Sequence, residues 1–178
     1  LSKSSLSESE FLYFSTTLKN LSSPYSSLFL FLVSGVLSFA APSYVDLNKI
    51  QRDGYQIDVD DVDTLAFSQE ESDMNLVVTM YFTNDGNPQT LRIAFKTMFA
   101  PAFGLEYTDE IQTNRAYIQK SFGKNRNGIV YGYNIVPKSQ KRKGCFLNVF
   151  LITEQELPDE LLKDIANTAL NEIESYIK

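Results

Sequence analysis

Histidine and tryptophan are absent from the 178 residues, and Cys145 is the single cysteine. Without histidine there is no imidazole base near neutral pH, and one thiol makes neither an intrachain disulfide nor a cysteine–histidine zinc set. Most familiar hydrolase and metalloenzyme designs are thereby excluded. The chain also lacks a Gly-x-Ser-x-Gly elbow, a phosphate-cradling glycine loop and a dinucleotide-binding fingerprint. A non-enzymatic protein is expected, with no catalytic residue, metal or cofactor. Basic charge is scarce too: 16 Lys and Arg against 22 Asp and Glu leave a net charge of -6 and a pI near 4.7. An acidic surface repels phosphate, so neither nucleic acid nor an anionic lipid surface is an expected partner.

The apolar fraction of 43% and charged fraction of 21% are those of an ordinary globular chain. The length suits one domain. The clearest single feature is the uncharged run Leu28 to Pro42. It is short for a membrane-spanning helix, which takes about 20 apolar residues, and it fits the apolar core of a signal peptide. Ser38 and Ala40, or Ala41 just after, supply small residues for a peptidase. Residues 1–42 therefore read as an export leader and residues 43–178 as one acidic α+β domain, periplasmic or secreted. The alternative places the run inside the core as a buried strand or helix of a cytoplasmic protein. Lys3 and Lys19 balance Glu8 and Glu10, so the acidity belongs to the domain. Ahead of the run, Ser7 and Glu10 are spaced like a helix capping box.

Beyond Pro42 the pattern is periodic. Tyr44, Val45, Leu47 and Ile50 suit a short helix ending before Gly54, and two strands follow through Tyr55–Val59 and Leu65–Phe67. Leu76–Phe82, the turn-rich Asn84–Pro88 and the alternating Leu91, Ile93, Phe95 and Phe99 predict a hairpin. Thr108 and Asp109 read as the cap of a middle helix presenting Ile111, Ala116, Tyr117 and Phe122. Ile129–Ile135 and Cys145–Ile152 predict a second hairpin around a basic tip. A closing helix carries Leu161, Leu162, Ile165, Ala166, Ala169, Leu170, Ile173 and Ile177 at helical spacing. The expected fold is an antiparallel sheet covered by helices, in the order α-β-β-β-α-β-β-α.

Few residues suggest a site. Asp58-Val-Asp-Asp-Val-Asp63 gathers carboxylates, but Val62 and Asp63 stand where a calcium loop counted from Asp58 wants an oxygen ligand and a glycine. It reads as a solvated acidic turn. Lys138, Lys141, Arg142 and Lys143 concentrate positive charge on one loop, which reads first as a soluble hairpin tip and is also a candidate docking site for an acidic partner or lipid headgroups. Cys145 opens an apolar strand and reads as a small buried hydrophobe.

Leu47-Asn-Lys-Ile-Gln-Arg-Asp-Gly-Tyr55, the strand-like Leu91-Arg-Ile-Ala-Phe-Lys96, the predicted helix with Asn114 and Arg115, and the closing helix after Leu157-Pro158 resemble the YbjN family of sensory transduction regulators. That family is similar in fold to the type III secretion chaperones, and the resemblance spans Tyr44 to Ile177. It implies a non-catalytic binding or regulatory domain, often paired, and some such domains lie behind signal peptides. Asn114 is the position that carries over from the family's Asn-x-Trp-Asn-like segment, and it joins the basic loop as a candidate partner-binding residue. The expected function is an exported domain that holds a peptide or protein. The alternative is a cytoplasmic acidic dimer resembling a secretion chaperone, and neither has a stable membrane span.

Overall fold

A computed structural model describes residues 40–71, 74–125 and 128–178. The capping-box segment Ser7–Glu10 and the apolar run up to residue 39 lie outside the described residues. The first helix, α1 (Leu47–Arg52), is capped by the Asp46 carboxylate, which accepts the Lys49 N–H at 3.1 Å. It ends at Gly54, whose φ of +93° is a left-handed value that glycine adopts without a Cβ clash. Strands β1 (Gln56–Asp60), β2 (Thr64–Glu71) and β3 (Met74–Phe82) form an antiparallel meander.

The hairpin expected over Leu91–Phe99 is instead a helix. Segment α2 (Pro88–Ala94) runs on through a π-helical turn at Phe95–Phe99 and a last short stretch at Ala100–Ala102. The Asn87 side chain accepts the Thr90 N–H at 3.0 Å and Pro88 takes the first helical position, so the turn-like Asn-Pro pair is a helix start. Alternation at Leu91, Ile93 and Phe95 is broken by burial: Phe95 is covered while Ile93 is 62% exposed.

The middle helix is also replaced, by strands β4 (Leu105–Gln112) and β5 (Ala116–Asn125). Thr108 does not cap a helix; its hydroxyl donates to the Lys120 carbonyl across the pair at 3.1 Å, beside a register shift between Tyr107 and Asp109. Ala116 and Ile118 are fully buried at strand spacing. The expected second hairpin is present as β6 (Gly128–Pro137) and β7 (Cys145–Thr153), with Tyr133 opposite Leu151 and Ile135 opposite Val149.

Helix α3 (Asp159–Glu174) closes the chain. The order is thus α-β-β-β-α-β-β-β-β-α: the expected middle helix is two strands, the expected strand over Leu91–Phe99 is a helix, and the class is still α+β. All pairs in the seven-stranded sheet are antiparallel, in the order β1-β2-β3-β7-β6-β5-β4. Strand β7 joins the two halves by pairing with β3 along its whole length. On one face α1 and α3 cover Leu65, Phe67, Val78, Met80, Ile118, Tyr133, Ile135, Leu147, Val149 and Leu151. On the other face, Phe95 and Phe99 pack with Val77, Leu105 and Phe150, and the Phe95 and Phe150 rings lie 5.5 Å apart.

The α3 stripe is narrower than its sequence suggests. Leu162, Ala166, Ala169, Leu170 and Ile173 are buried, Ile165 is half-buried and Leu161 is 45% exposed. Each fully buried leucine or isoleucine contributes about 1.5–3 kcal/mol, so this face fastens the helix. After it, Ile177 bridges to Val45, the Asp46 N–H donates to the Tyr176 carbonyl at 2.8 Å, and the Lys178 N–H donates to the Tyr44 carbonyl at 2.9 Å. The two ends of the domain hold one another.

Candidate functional site

The basic loop joins β6 to β7, but two of its four cations lie against aromatic rings. The Lys138 ammonium is 5.0 Å from the centre of the Tyr117 ring. Arg142 lies 4.2 Å from the Tyr44 ring centre and donates to the Lys178 carbonyl at 3.0 Å. Lys141 and Lys143 are exposed. Asn114 lies in the turn between β4 and β5, not on a helix, and is exposed. The Lys138 N–H donates to the neighbouring Arg115 carbonyl at 2.7 Å, so Asn114 and Lys138 share one end of the sheet.

The aspartate run is divided among separate tasks. Asp60 accepts the Ala41 N–H at 2.7 Å and Asp61 accepts the Val62 N–H at 2.6 Å. Burial raises the Asp58 carboxyl above the usual carboxylate range, against the lowering effect of a hydrogen bond with Ser68. Among the described residues no three Asp, Glu or Cys side chains are grouped to hold a metal ion. Cys145 is 1% exposed, and burial pushes its thiol up to about 11, the reverse of what a nucleophile requires. Among the described residues no helix is long and apolar enough to cross a membrane.

A polar row runs under α2. The buried Asn134 side chain donates to Gln119 Oε1 at 2.9 Å, and Gln119 Nε2 donates to the Arg92 carbonyl at 3.1 Å, just ahead of the π-helical turn. These bonds fix where the helix sits on the sheet. A small cleft lined by Pro88, Leu91, Val136, Pro137 and Phe146 lies beside it, with room for about one water molecule.

The opposite end of β6 is different. Phe122 on β5 stands directly across from Tyr131 on β6, and Ile129 is two residues before Tyr131, so these three side chains share the α3 face. Phe122 is 38% exposed and Ile129 49%. The bond from Lys120 Nζ to Asp159 Oδ1, at 2.9 Å, holds the start of α3 one same-face step from Phe122. The exposed Leu161 is in the first turn of that helix. Exposed carboxylates stand around this apolar rim: Glu106 opposite Phe122, then Glu154, Glu156, Asp159 and Glu160.

Sequence reasoning assigns Phe122, Ile129 and Leu161 to buried positions. Period-two spacing does put Ile129 and Tyr131 on one face, but where α3 begins decides whether that face is covered. A scan against models of protein families finds no match for this chain, and no curated protein matches it. Two segments behind the family resemblance fall on other elements, since Leu91–Lys96 is helical and Asn114–Arg115 is a turn.

Proposed function

We propose that this chain is an exported, non-catalytic binding domain that holds a segment of a partner protein on the rim formed by Phe122, Ile129 and Leu161. The observation that carries the reading is the pair of exposed large apolar side chains Phe122 and Ile129 on neighbouring strands, at the sheet end where α3 begins with the exposed Leu161 in its first turn. Large apolar side chains left open to water on one face supply the anchoring contacts of protein interfaces. The surrounding carboxylates favour a partner segment with lysine or arginine beside its apolar residues, because complementary charge steers encounter and fixes register. Strand addition suits the sheet less well: both edge strands carry a register shift, and β4 bears Glu106, Asp109 and Glu110.

The alternative is a cytoplasmic secretion chaperone that pairs with itself through the same rim. The acidic ring opposes that arrangement, because two copies would bring like charges together.

Panning a random peptide display library against the domain tests the proposal. Enriched peptides should combine one or two large apolar residues with Lys or Arg, and Ile129→Asp should abolish their retention. Retention that survives Ile129→Asp, or enrichment of acidic peptides, would contradict it.

A further inference from the structure

The N-terminal edge of the described fold carries a contact that bears on how the chain matures. The Ala41 nitrogen lies 2.7 Å from Asp60 Oδ1, in a partly buried position at the end of β1. From the next residue onward the backbone is tied into the domain: the Pro42 carbonyl accepts the Val45 N–H at 2.8 Å, and residues 44–46 pair with the C-terminal tail. Immediately upstream the sequence reads Ser38-Phe-Ala40, small residues one apart at the end of an uncharged apolar run.

We propose that the chain is hydrolysed between Ala40 and Ala41 by a peptidase of the class that removes export leaders, and that Asp60 then holds the new α-ammonium of Ala41. The inference rests on the export reading above. Water supplies the oxygen that makes Ala40 a carboxylate, the C–N bond breaks, and the Ala41 nitrogen takes the released protons and becomes an ammonium. A hydrogen bond with one charged partner becomes an ion pair with charge on both, which adds Coulomb attraction between Asp60 and the new terminus. Asp58, Asp61 and Asp63 in the same stretch add negative potential that favours a cation there. Cutting one residue later, after Ala41, would remove the nitrogen that Asp60 holds and begin the chain at Pro42. The bond after Ala40 also keeps the one-apart small pair Ser38 and Ala40 ahead of the cut, whereas a cut after Ala41 would put Phe39 in the outer small position.

The test expresses the full chain, with an initiating methionine, in a bacterial host that has an export machinery, and reads the product by intact mass and N-terminal sequencing. The expected product begins at Ala41. An uncut cytoplasmic chain would overturn the export reading and this inference with it, whereas a cut product with another first residue would overturn this inference alone. The second measurement acylates the α-amine of the Ala41 product near neutral pH, with Asp60 intact or changed by Asp60→Asn. Ion pairing keeps the amine protonated, so the variant should react about tenfold faster, the rate ratio for one pKa unit. A product extended by Ala40 should react like the variant. Equal rates for the intact protein and the variant would refute the Asp60 pairing.

Discussion

The guanidinium of Arg92 lies over the ring of Tyr117, 3.8 Å from its centre, while Nε donates to Glu110 Oε2 at 2.9 Å and a second nitrogen reaches Oε1 of the same carboxylate. Three elements meet there: α2, β4 and β5. Both charged side chains are largely covered, at 20% and 14% exposure, so the pair is screened less than a surface salt bridge. Arg92→Ala should destabilise the fold by about 1–3 kcal/mol in urea melts. Arg92→Lys should recover little, since an ammonium cannot reproduce the planar fork that both pairs with the carboxylate and stacks on the ring.

Along α3, Leu162 is fully buried and its neighbour Leu161 is 45% exposed. Leu162→Ala should cost about 2–5 kcal/mol, the range for truncating a core leucine. Leu161→Ala should stay within about 0.5 kcal/mol, as surface substitutions do. Denaturant melts of the two variants check this. Equal losses would show that the helix is rotated and that Leu161 is no part of an open rim.

These comparisons show where sequence sufficed. The β6–β7 hairpin was legible because Ile129, Tyr131, Tyr133 and Ile135 alternate strictly and a basic, glycine-ended loop follows. Leu91–Phe99 was not, because Leu91 and Phe95 satisfy both a period of two and a helical spacing of four. What decides between them is the Asn87 cap and the aromatic cluster on Phe150, and the second of these is a tertiary contact. Thr108 and Asp109 are good capping residues by type, yet pairing with β5 takes precedence. The rim was hidden for a similar reason: alternation gives the face of Ile129 but not where α3 begins.

Stability should fall with rising alkalinity. The Cys145 thiol is pushed up to about 11 by burial, and burial raises the Tyr133 and Tyr176 hydroxyls as well. Each is an acid whose native pKa exceeds its unfolded one. Between those two values the native state therefore binds more protons than the unfolded chain, and stability falls as pH rises through the window. For Cys145 that window runs from about 8.5 to about 11. Thermal melts at stepped pH should show the decline, and Cys145→Ala should flatten the part of it that the thiol contributes. A thiol reagent at pH 8 should leave Cys145 unmodified until the protein unfolds.

Asp58 gives a change of the same sign at acid pH. Its carboxyl is raised by burial, so the native state holds extra protons just above the ordinary carboxylate value of about 3.9. Asp58→Asn should raise the melting temperature at pH 7, where the buried charge is present, and the gain should vanish near pH 3, where the native carboxyl is already neutral. A stabilisation that persists at pH 3 would assign the effect to packing.

The most direct measurement of the binding rim is a fluorescence-anisotropy titration of one selected peptide against three forms of the domain: unaltered, Ile129→Asp and Lys141→Ala. Ile129→Asp should weaken binding by about tenfold or more, equivalent to about 1.4 kcal/mol, without lowering the melting temperature. Lys141→Ala, on the basic loop at the far end of β6, should bind as the unaltered protein does. Unchanged affinity in Ile129→Asp together with loss in Lys141→Ala would move the binding surface to the basic loop and contradict the rim.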